Sequence, residues 1–188
     1  MNSKNYTVNL SDFSPKDFNK GATRLKIVLW YFVNVLFVIP SWNPMKGVKI
    51  FLLRLFGAKI GKGVVIKNKV NIKYPWKFVC GDYVWLGENC WIDNLDFVTI
   101  GNNVCISQGA LLITGNHDYT KVDFPYRNAP IIIEDGAWIG AKSVVAPGVT
   151  IKTHSILTLG TICIKDTEPY AIYQGNPAVK MKTREINT

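Results

Sequence analysis

A six-residue repeat occupies most of the chain after its first third. From Ile133 the sequence divides into IEDGAW, IGAKSV, VAPGVT, IKTHSI, LTLGTI and CIKDTE, with an aliphatic residue or Cys163 first in each hexad and a small or β-branched residue fifth. The same frame starts at Ile60 and runs, with two-residue slips, through IGKGVV, IKNKVN, CGDYVW, LGENCW, IGNNVC and ISQGAL. Six is not near a multiple of the 3.6-residue helical period, and frequent Gly and β-branched residues disfavour long helices. The pattern therefore predicts short strands joined by turns.

Such hexads predict a solenoid. Each supplies one short strand and a turn, with its leading side chain pointing inward. Three hexads make a triangular coil of about 18 residues, and coils stack at the strand spacing of about 4.8 Å. We therefore expect an all-β parallel helix over residues 59–166. Residues 1–58 lack the repeat and are expected to form a helical cap, and residues 167–188 an exit segment with a basic tail.

A long insertion, residues 112–132 (LITGNHDYTKVDFPYRNAPII), interrupts the repeat. It is too long for a turn, and long ordered loops on a regular scaffold commonly carry function. The loop contains His117, one of only two histidines; the other, His154, stands fourth in its hexad, where an exposed turn is expected. An imidazole titrates near neutral pH and can act as a general base, so from the residues alone His117 is either a candidate for that role or an ordinary surface-loop histidine.

Composition narrows the classes of function. The 188 residues carry a formal net charge of +9 and are 48% hydrophobic, which predicts one folded domain with an anionic partner. Nucleic acid is not expected, because the lysines are scattered and no reader motif accompanies them. Cys80, Cys90, Cys105 and Cys163 lack metal-ligand spacing, so we expect four small buried side chains and no metal.

The most apolar segment is residues 27–39 (IVLWYFVNVLFVI). Its 13 residues fall short of the roughly 20 that a membrane-spanning helix needs. A buried cap helix is the favoured interpretation, with an interfacial helix and a true span as alternatives. Neighbouring cations, among them Lys20, Arg24 and Arg54, would suit a peripheral membrane contact through residues 20–57.

Several blocks match beyond the bare repeat. They are FLLRLFGAKIGKGV (51–64), KYPWKF (73–78), WLGENCWIDNL (85–95), CISQGALLITGNHDY (105–119) and IYQGNPA (172–178). Through them the chain resembles the hexapeptide-repeat acyltransferases, in particular the O-acetyltransferases of colanic acid and exopolysaccharide biosynthesis, and more distantly the galactoside and maltose acetyltransferases. The resemblance implies a left-handed parallel β-helix.

The resemblance also implies roles for individual residues. His117 would be the general base in acetyl transfer from acetyl-CoA to a sugar or glycan-precursor hydroxyl. The acceptor-binding positions that it implies are Asp93 and Asn94, and the aromatic ring of Trp91 could stack on a sugar. The CoA-binding positions that it implies are Ala141, Leu159, Ile164, Lys165 and Lys182. It further implies a cytoplasmic homotrimer with sites between subunits. Gly87 stands where galactoside acetyltransferases carry a substrate-contacting Asn, which disfavours a galactoside-like acceptor.

Three other functions are compatible with the repeat. An enzyme of the same fold could use a different acyl donor or acetylate an amino sugar. A zinc enzyme resembling the γ-carbonic anhydrases needs three histidine ligands, which His117 and His154 cannot supply. A non-catalytic β-helix binding protein fits the repeat but leaves the histidine-bearing loop without a role.

Overall fold

The computed structural model describes residues 7–15, 18–41 and 46–187. The hexads form short strands that stack in three sheets, as predicted for a parallel β-solenoid. Sheet 1 has the order β1-β4-β7-β10-β13, sheet 2 the order β17-β16-β14-β11-β8-β5-β2, and sheet 3 the order β15-β12-β9-β6-β3. The strands are β1 (Lys59–Ile60), β2 (Val65–Ile66), β3 (Asn71–Ile72), β4 (Phe78–Cys80), β5 (Trp85–Leu86), β6 (Trp91–Asp93), β7 (Val98–Ile100), β8 (Cys105–Ile106), β9 (Leu111–Ile113), β10 (Ile131–Ile133), β11 (Trp138–Ile139), β12 (Val144–Val145), β13 (Thr150–Ile151), β14 (Ile156–Leu157), β15 (Ile162–Cys163), β16 (Ala171–Gln174) and β17 (Val179–Thr183).

The strand register explains the slips in the repeat. Lys59 pairs with Val79, so the first coils hold 20 residues, whereas Ile132 pairs with Thr150, so later coils hold 18. The two additional residues are accommodated without breaking the parallel ladders.

The first and fifth places of the hexads build the core. The leading residues from the second hexad onward are almost entirely buried, among them Leu86, Ile106 and Ile151. At the fifth place, buried hydroxyls bond to the adjoining coil: Ser143 Oγ donates to Thr158 O at 2.8 Å, and Ser155 Oγ donates to Ala171 O at 3.0 Å. A small residue is needed there because the chain turns close to its neighbour.

Two helices cover the first coil. α1 (Arg24–Val33) continues into a π-helical turn (Asn34–Val38), and α2 is Lys46–Leu55; short 3-10 turns occupy Leu10–Asp12 and Pro75–Lys77. The buried Trp30 donates from Nε1 to Ile72 O at 3.2 Å. The predicted cap helix is thus buried on one face and exposed on the other. Among the described helices, none is long and apolar enough to cross a bilayer. Residues 1–6, 16–17 and 42–45 of the predicted cap lie outside the described residues.

The predicted exit segment forms two strands that extend sheet 2. β16 pairs in parallel with β14, and β17 returns antiparallel to β16. The last residues therefore cover the exposed edge of the final coil.

Three of the four cysteines are buried as predicted, and all four are free thiols. Burial raises the pKa of the Cys80 and Cys90 thiols to about 11. The prediction was wrong for Cys105, which is half-buried because it points outward from β8.

Replacing Gly140 with Ala should lower the melting temperature by about 3–10 °C, since overpacking costs about 1–3 kcal/mol. A Cβ at Gly140 would lie 2.5 Å from Leu157 O and 2.7 Å from Thr158 C, both backbone atoms of the next coil. Gly47→Ala is the control, because a Cβ there meets nothing within 4 Å. Calorimetry should show an unchanged or higher melting temperature for the control; equal losses in both variants would contradict the close packing of the coils.

Candidate active site

The loop between β9 and β10 is an ordered two-stranded ribbon. Backbone hydrogen bonds join Ala129 N to Thr114 O (3.1 Å), Arg127 N to Asn116 O (2.8 Å) and Asp118 N to Pro125 O (2.9 Å). His117 faces Tyr126 in an antiparallel bridge within this ribbon. The histidine is therefore held by regular backbone pairing.

The His117 ring is oriented by a backbone carbonyl. Its Nδ1 lies 2.8 Å from Phe124 O, and a carbonyl oxygen can only accept a hydrogen bond. Nδ1 must therefore carry a proton, which leaves Nε2 of the neutral ring with its lone pair available. This is the tautomer that a general base requires.

Three aromatic rings surround His117. Phe124 stacks on it with a centroid distance of 4.4 Å, Tyr126 lies at 4.8 Å and Phe13 at 5.8 Å. Phe13 also packs edge-on against Tyr126 at 5.2 Å. The sequence pattern does not indicate these neighbours, because no periodicity connects Phe13 with a loop about a hundred residues later.

Phe13 reaches the loop on an N-terminal arm, defined here as residues 7–15 and 18–20. Asn9 N donates to Val122 O at 2.9 Å at one end of the arm. At the other, Lys77 Nζ donates to Asn19 O at 2.8 Å and Trp76 Nε1 donates to Lys20 O at 2.7 Å. The arm is therefore tied both to the loop and to the first coil.

A cavity of about 570 Å³ lies between the arm and the loop. Its walls include Phe18, Asp118, Lys121, Tyr126 and Arg127. It is the largest of the described cavities and adjoins the ribbon that carries His117.

The second histidine lies elsewhere and is packed. His154 stacks on Tyr170 with a centroid distance of 4.7 Å and an interplanar angle of 4°. Its Nδ1 lies 2.7 Å from Thr153 Oγ1. His154 lies on a turn, as predicted, but its side chain is half-buried instead of exposed, because Tyr170 of the following coil stacks on it.

The three predicted acceptor residues have different environments. Asp93 forms an ion pair with Lys73, with 2.7 Å between Oδ1 and Nζ, and that oxygen has no aligned hydrogen bond. Trp91 is exposed on the outer side of β6. Asn94 is fully buried, and its amide exchanges hydrogen bonds with the backbone of Tyr74, at 2.9 Å from Tyr74 N and 2.7 Å to Tyr74 O. This geometry argues against direct acceptor binding by Asn94.

Tyr74 lies near Asp93 and near Tyr126 of the loop. Burial raises its pKa, and the nearby Tyr126 and Asp93 raise it further. The Tyr74 phenol therefore stays protonated at neutral pH and lies near both the ion pair and the aromatic cluster.

Parallel strands place several candidates at one edge. Asp93 ends β6, the His117 loop follows β9, and Ile164 and Lys165 follow β15, all strands of sheet 3. Because parallel strands of one sheet end at the same edge, these residues emerge along one corner of the solenoid. Ile164 and Lys165 line a groove of about 240 Å³ together with Tyr173.

The remaining predicted CoA-binding residues lie apart from that corner. Ala141 follows β11 and Leu159 follows β14, so both lie at the edge where the strands of sheet 2 end. Lys182 lies on β17 of the same sheet. Leu159 and Lys182 are exposed. One chain therefore divides these five positions between two regions. In the described part of the chain, no group of three His, Cys, Asp or Glu side chains could hold a metal ion.

Comparison with known proteins identifies the family. No family model matches the chain. It is 40% identical over 178 residues to WcaF of Escherichia coli (strain K12), a protein assigned to colanic acid biosynthesis as an acetyltransferase; the match covers 93% of this chain and 96% of WcaF. The chain belongs to the hexapeptide-repeat acetyltransferases. The galactoside O-acetyltransferase of the same strain is 32% identical over 140 residues, covering 72% of this chain and 68% of that enzyme.

The fold of this hexapeptide-repeat acetyltransferase is similar to the fold of a relative whose structure has been solved. VCA0836 from Vibrio cholerae O1 biovar eltor, crystallised with acetyl coenzyme A, matches with a TM-score of 0.77 and 20% identity, covering 93% of each chain. The predicted fold and the predicted enzyme class, an acyltransferase, are confirmed.

Phe13→Ala should lower the kcat of this acetyltransferase about two- to tenfold, because aromatic contacts worth about 0.5–1.5 kcal/mol position His117. The melting temperature should change little, since Phe13 is outside the buried core. Steady-state kinetics with Leu10→Ala as the control tests this, because Leu10 lies on the same arm and is 67% exposed. Equal kcat values for wild type and Phe13→Ala would rule out a positioning role.

Proposed function

We propose that this protein transfers an acetyl group from acetyl-CoA to a hydroxyl of a sugar or glycan precursor, with His117 as the general base. The observation that carries the proposal is the contact of His117 Nδ1 with Phe124 O, which leaves Nε2 free to accept a proton. WcaF and the galactoside O-acetyltransferase, both similar over most of this chain, support the sugar acceptor.

The reaction needs one proton acceptor and two aligned substrates. His117 Nε2 takes the proton of the acceptor hydroxyl while its oxygen attacks the thioester carbonyl. The tetrahedral intermediate collapses, the carbon–sulfur bond breaks, and the CoA thiolate receives the proton from the imidazolium. Phe124 O accepts a hydrogen bond from Nδ1 throughout and stabilises the cationic ring. Alignment of the substrates contributes further, up to about 7–11 kcal/mol in well-oriented systems.

The acceptor binds at the corner shared by Asp93 and the loop. The Asp93 side chain, paired with Lys73, is 14% exposed at this corner, and the exposed Trp91 ring is suited to stacking on a sugar. Gly87 cannot be replaced by a larger residue without a shift, because a Cβ there would lie 2.7 Å from Gln108 N. The acceptor therefore differs from a galactoside held by an Asn at that position.

The donor binds along the last coils. Ile164 and Lys165 line the groove of about 240 Å³, and Ala141, Leu159 and Lys182 contribute from the end of sheet 2. The division of these residues between two regions supports a homotrimer in which each CoA lies between two chains. We further propose a cytoplasmic enzyme of exopolysaccharide biosynthesis, supported by the similarity to WcaF.

His117→Ala should reduce kcat by about 10²- to 10⁴-fold with an unchanged fold, as expected for loss of a general base. His117→Asn removes the proton acceptor but keeps the hydrogen bond to the loop backbone. The Asn amide can still donate to Phe124 O, but it cannot accept a proton at the Nε2 position. Both variants should show this loss in an assay of CoA release with a sugar acceptor. His154→Ala should keep activity; near wild-type turnover by His117→Asn would disprove the base assignment.

The double variant Lys165→Ala, Lys182→Ala should raise the KM for acetyl-CoA about tenfold, since two exposed cation–phosphate contacts together contribute roughly 1–2 kcal/mol. The kcat should change little, because neither lysine contacts the reacting atoms. Lys59→Ala, Lys67→Ala is the matched control, with two exposed lysines on the first coil. If the KM for acetyl-CoA equals that of the control, these lysines do not contact the donor.

A further inference from the structure

One face of α1 and its π-helical turn is apolar and exposed. Its residues recur at helical spacing and are between 43% and 69% exposed. This surface, here called the apolar face, comprises Leu25, Val28, Leu29, Phe32, Val35 and Leu36. Single exposed apolar residues are ordinary, but a contiguous set of this size marks an interaction surface.

Packing of the cap does not account for the apolar face. The opposite side of the same helix holds the buried Trp30, Asn34 and Val38, which contact the first coil. Asn34 Nδ2 donates to Asn71 Oδ1 at 2.9 Å. The helix is thus attached by one side, and folding does not require large apolar residues on the other.

The charge around the apolar face has one sign. Residues 18–81 contain twelve Lys and Arg and no Asp or Glu, whereas the rest of the chain has ten Lys and Arg against thirteen Asp and Glu. The net positive charge of the protein therefore originates in the cap and the first coil. Arg24 is exposed and lies one helical turn before Val28, and Lys20 is exposed just ahead of it.

An anionic bilayer satisfies both features. Apolar side chains enter the boundary between headgroups and acyl chains while neighbouring cations meet lipid phosphates. A second copy of this chain would bring together two segments that carry only basic charges, which like-charge repulsion opposes. A spanning arrangement does not fit either, because α1 and its π-helical turn cover residues 24–38 only.

We propose that the apolar face docks this enzyme onto an anionic lipid surface, with α1 lying in the plane of the interface. Leu25, Leu29 and Phe32 insert below the phosphate level, and Lys20 and Arg24 contact the headgroups. The docking is separate from acetyl transfer, so its failure would leave the proposed activity in place.

Vesicle flotation of the full-length chain tests the proposal. Wild type should float with vesicles of 30% phosphatidylglycerol in phosphatidylcholine and at least tenfold less with pure phosphatidylcholine, an effect that high salt weakens. Leu29→Glu, Phe32→Glu should lose at least tenfold of the bound fraction. The control is Ile132→Glu, Ile186→Glu, which also replaces two exposed apolar residues with Glu but lies outside the apolar face. This control should float like wild type.

Each other outcome overturns the proposal. If the wild-type protein stays in the dense fraction with anionic vesicles, that result alone excludes docking. Equal flotation of Leu29→Glu, Phe32→Glu and wild type excludes the apolar face. A smaller oligomer for that variant in light scattering, with no wild-type flotation, would assign the face to a second copy. Turnover of a soluble acceptor checks that the variant is folded.

Discussion

Stacking of coils at one strand spacing leaves almost no space between successive turns, and the structure depends on this constraint. A third-place side chain from each coil bonds to the backbone of the preceding one: Asp82 Oδ1 accepts from Lys62 N at 2.9 Å, and Asp135 Oδ1 from Asn102 N at 2.7 Å. The same oxygens occupy the space of a Cβ at Gly61 and Gly101. Glycine at the second place therefore follows from the ladder that joins the coils.

The same regularity determines where chemistry can occur. In a solenoid a side chain reaches solvent only from the outer face or from a corner, so a site needs a departure from the repeat. The insertion after β9 leaves at the corner where Asp93 and Ile164 also emerge. The parallel register thus brings to one edge residues that lie up to 71 positions apart in sequence. Phe124 O, on the returning strand of the ribbon, then fixes the His117 tautomer.

The solenoid and the position of its inserted loop could be predicted from the sequence, because periodicity is a local property that needs no knowledge of contacts; the role of His117 stays a prediction. The sequence predicted side-chain environments less well. Asn94 looked available as a polar break in an apolar run, yet it bonds to the backbone of Tyr74 in the interior. Phe13 lies beside His117 only because the arm folds back over the loop. Such contacts form between residues that are far apart in the sequence, and the repeat pattern contains no information about them.

The N-terminal arm lies against two separate parts of the solenoid. Lys20, beside the start of α1, accepts from Trp76 on the first coil, and Phe13 on the same arm packs on His117. Lys77 adds a second attachment through Asn19 O and Leu95 O. The described residues of the arm, 7–15 and 18–20, therefore contact both the first coil and the loop that carries His117, although these belong to different coils. Under the proposed docking, an acceptor held at a lipid surface would meet the enzyme on the side where the described residues of the arm run, since Lys20 contacts the first coil and Phe13 contacts His117.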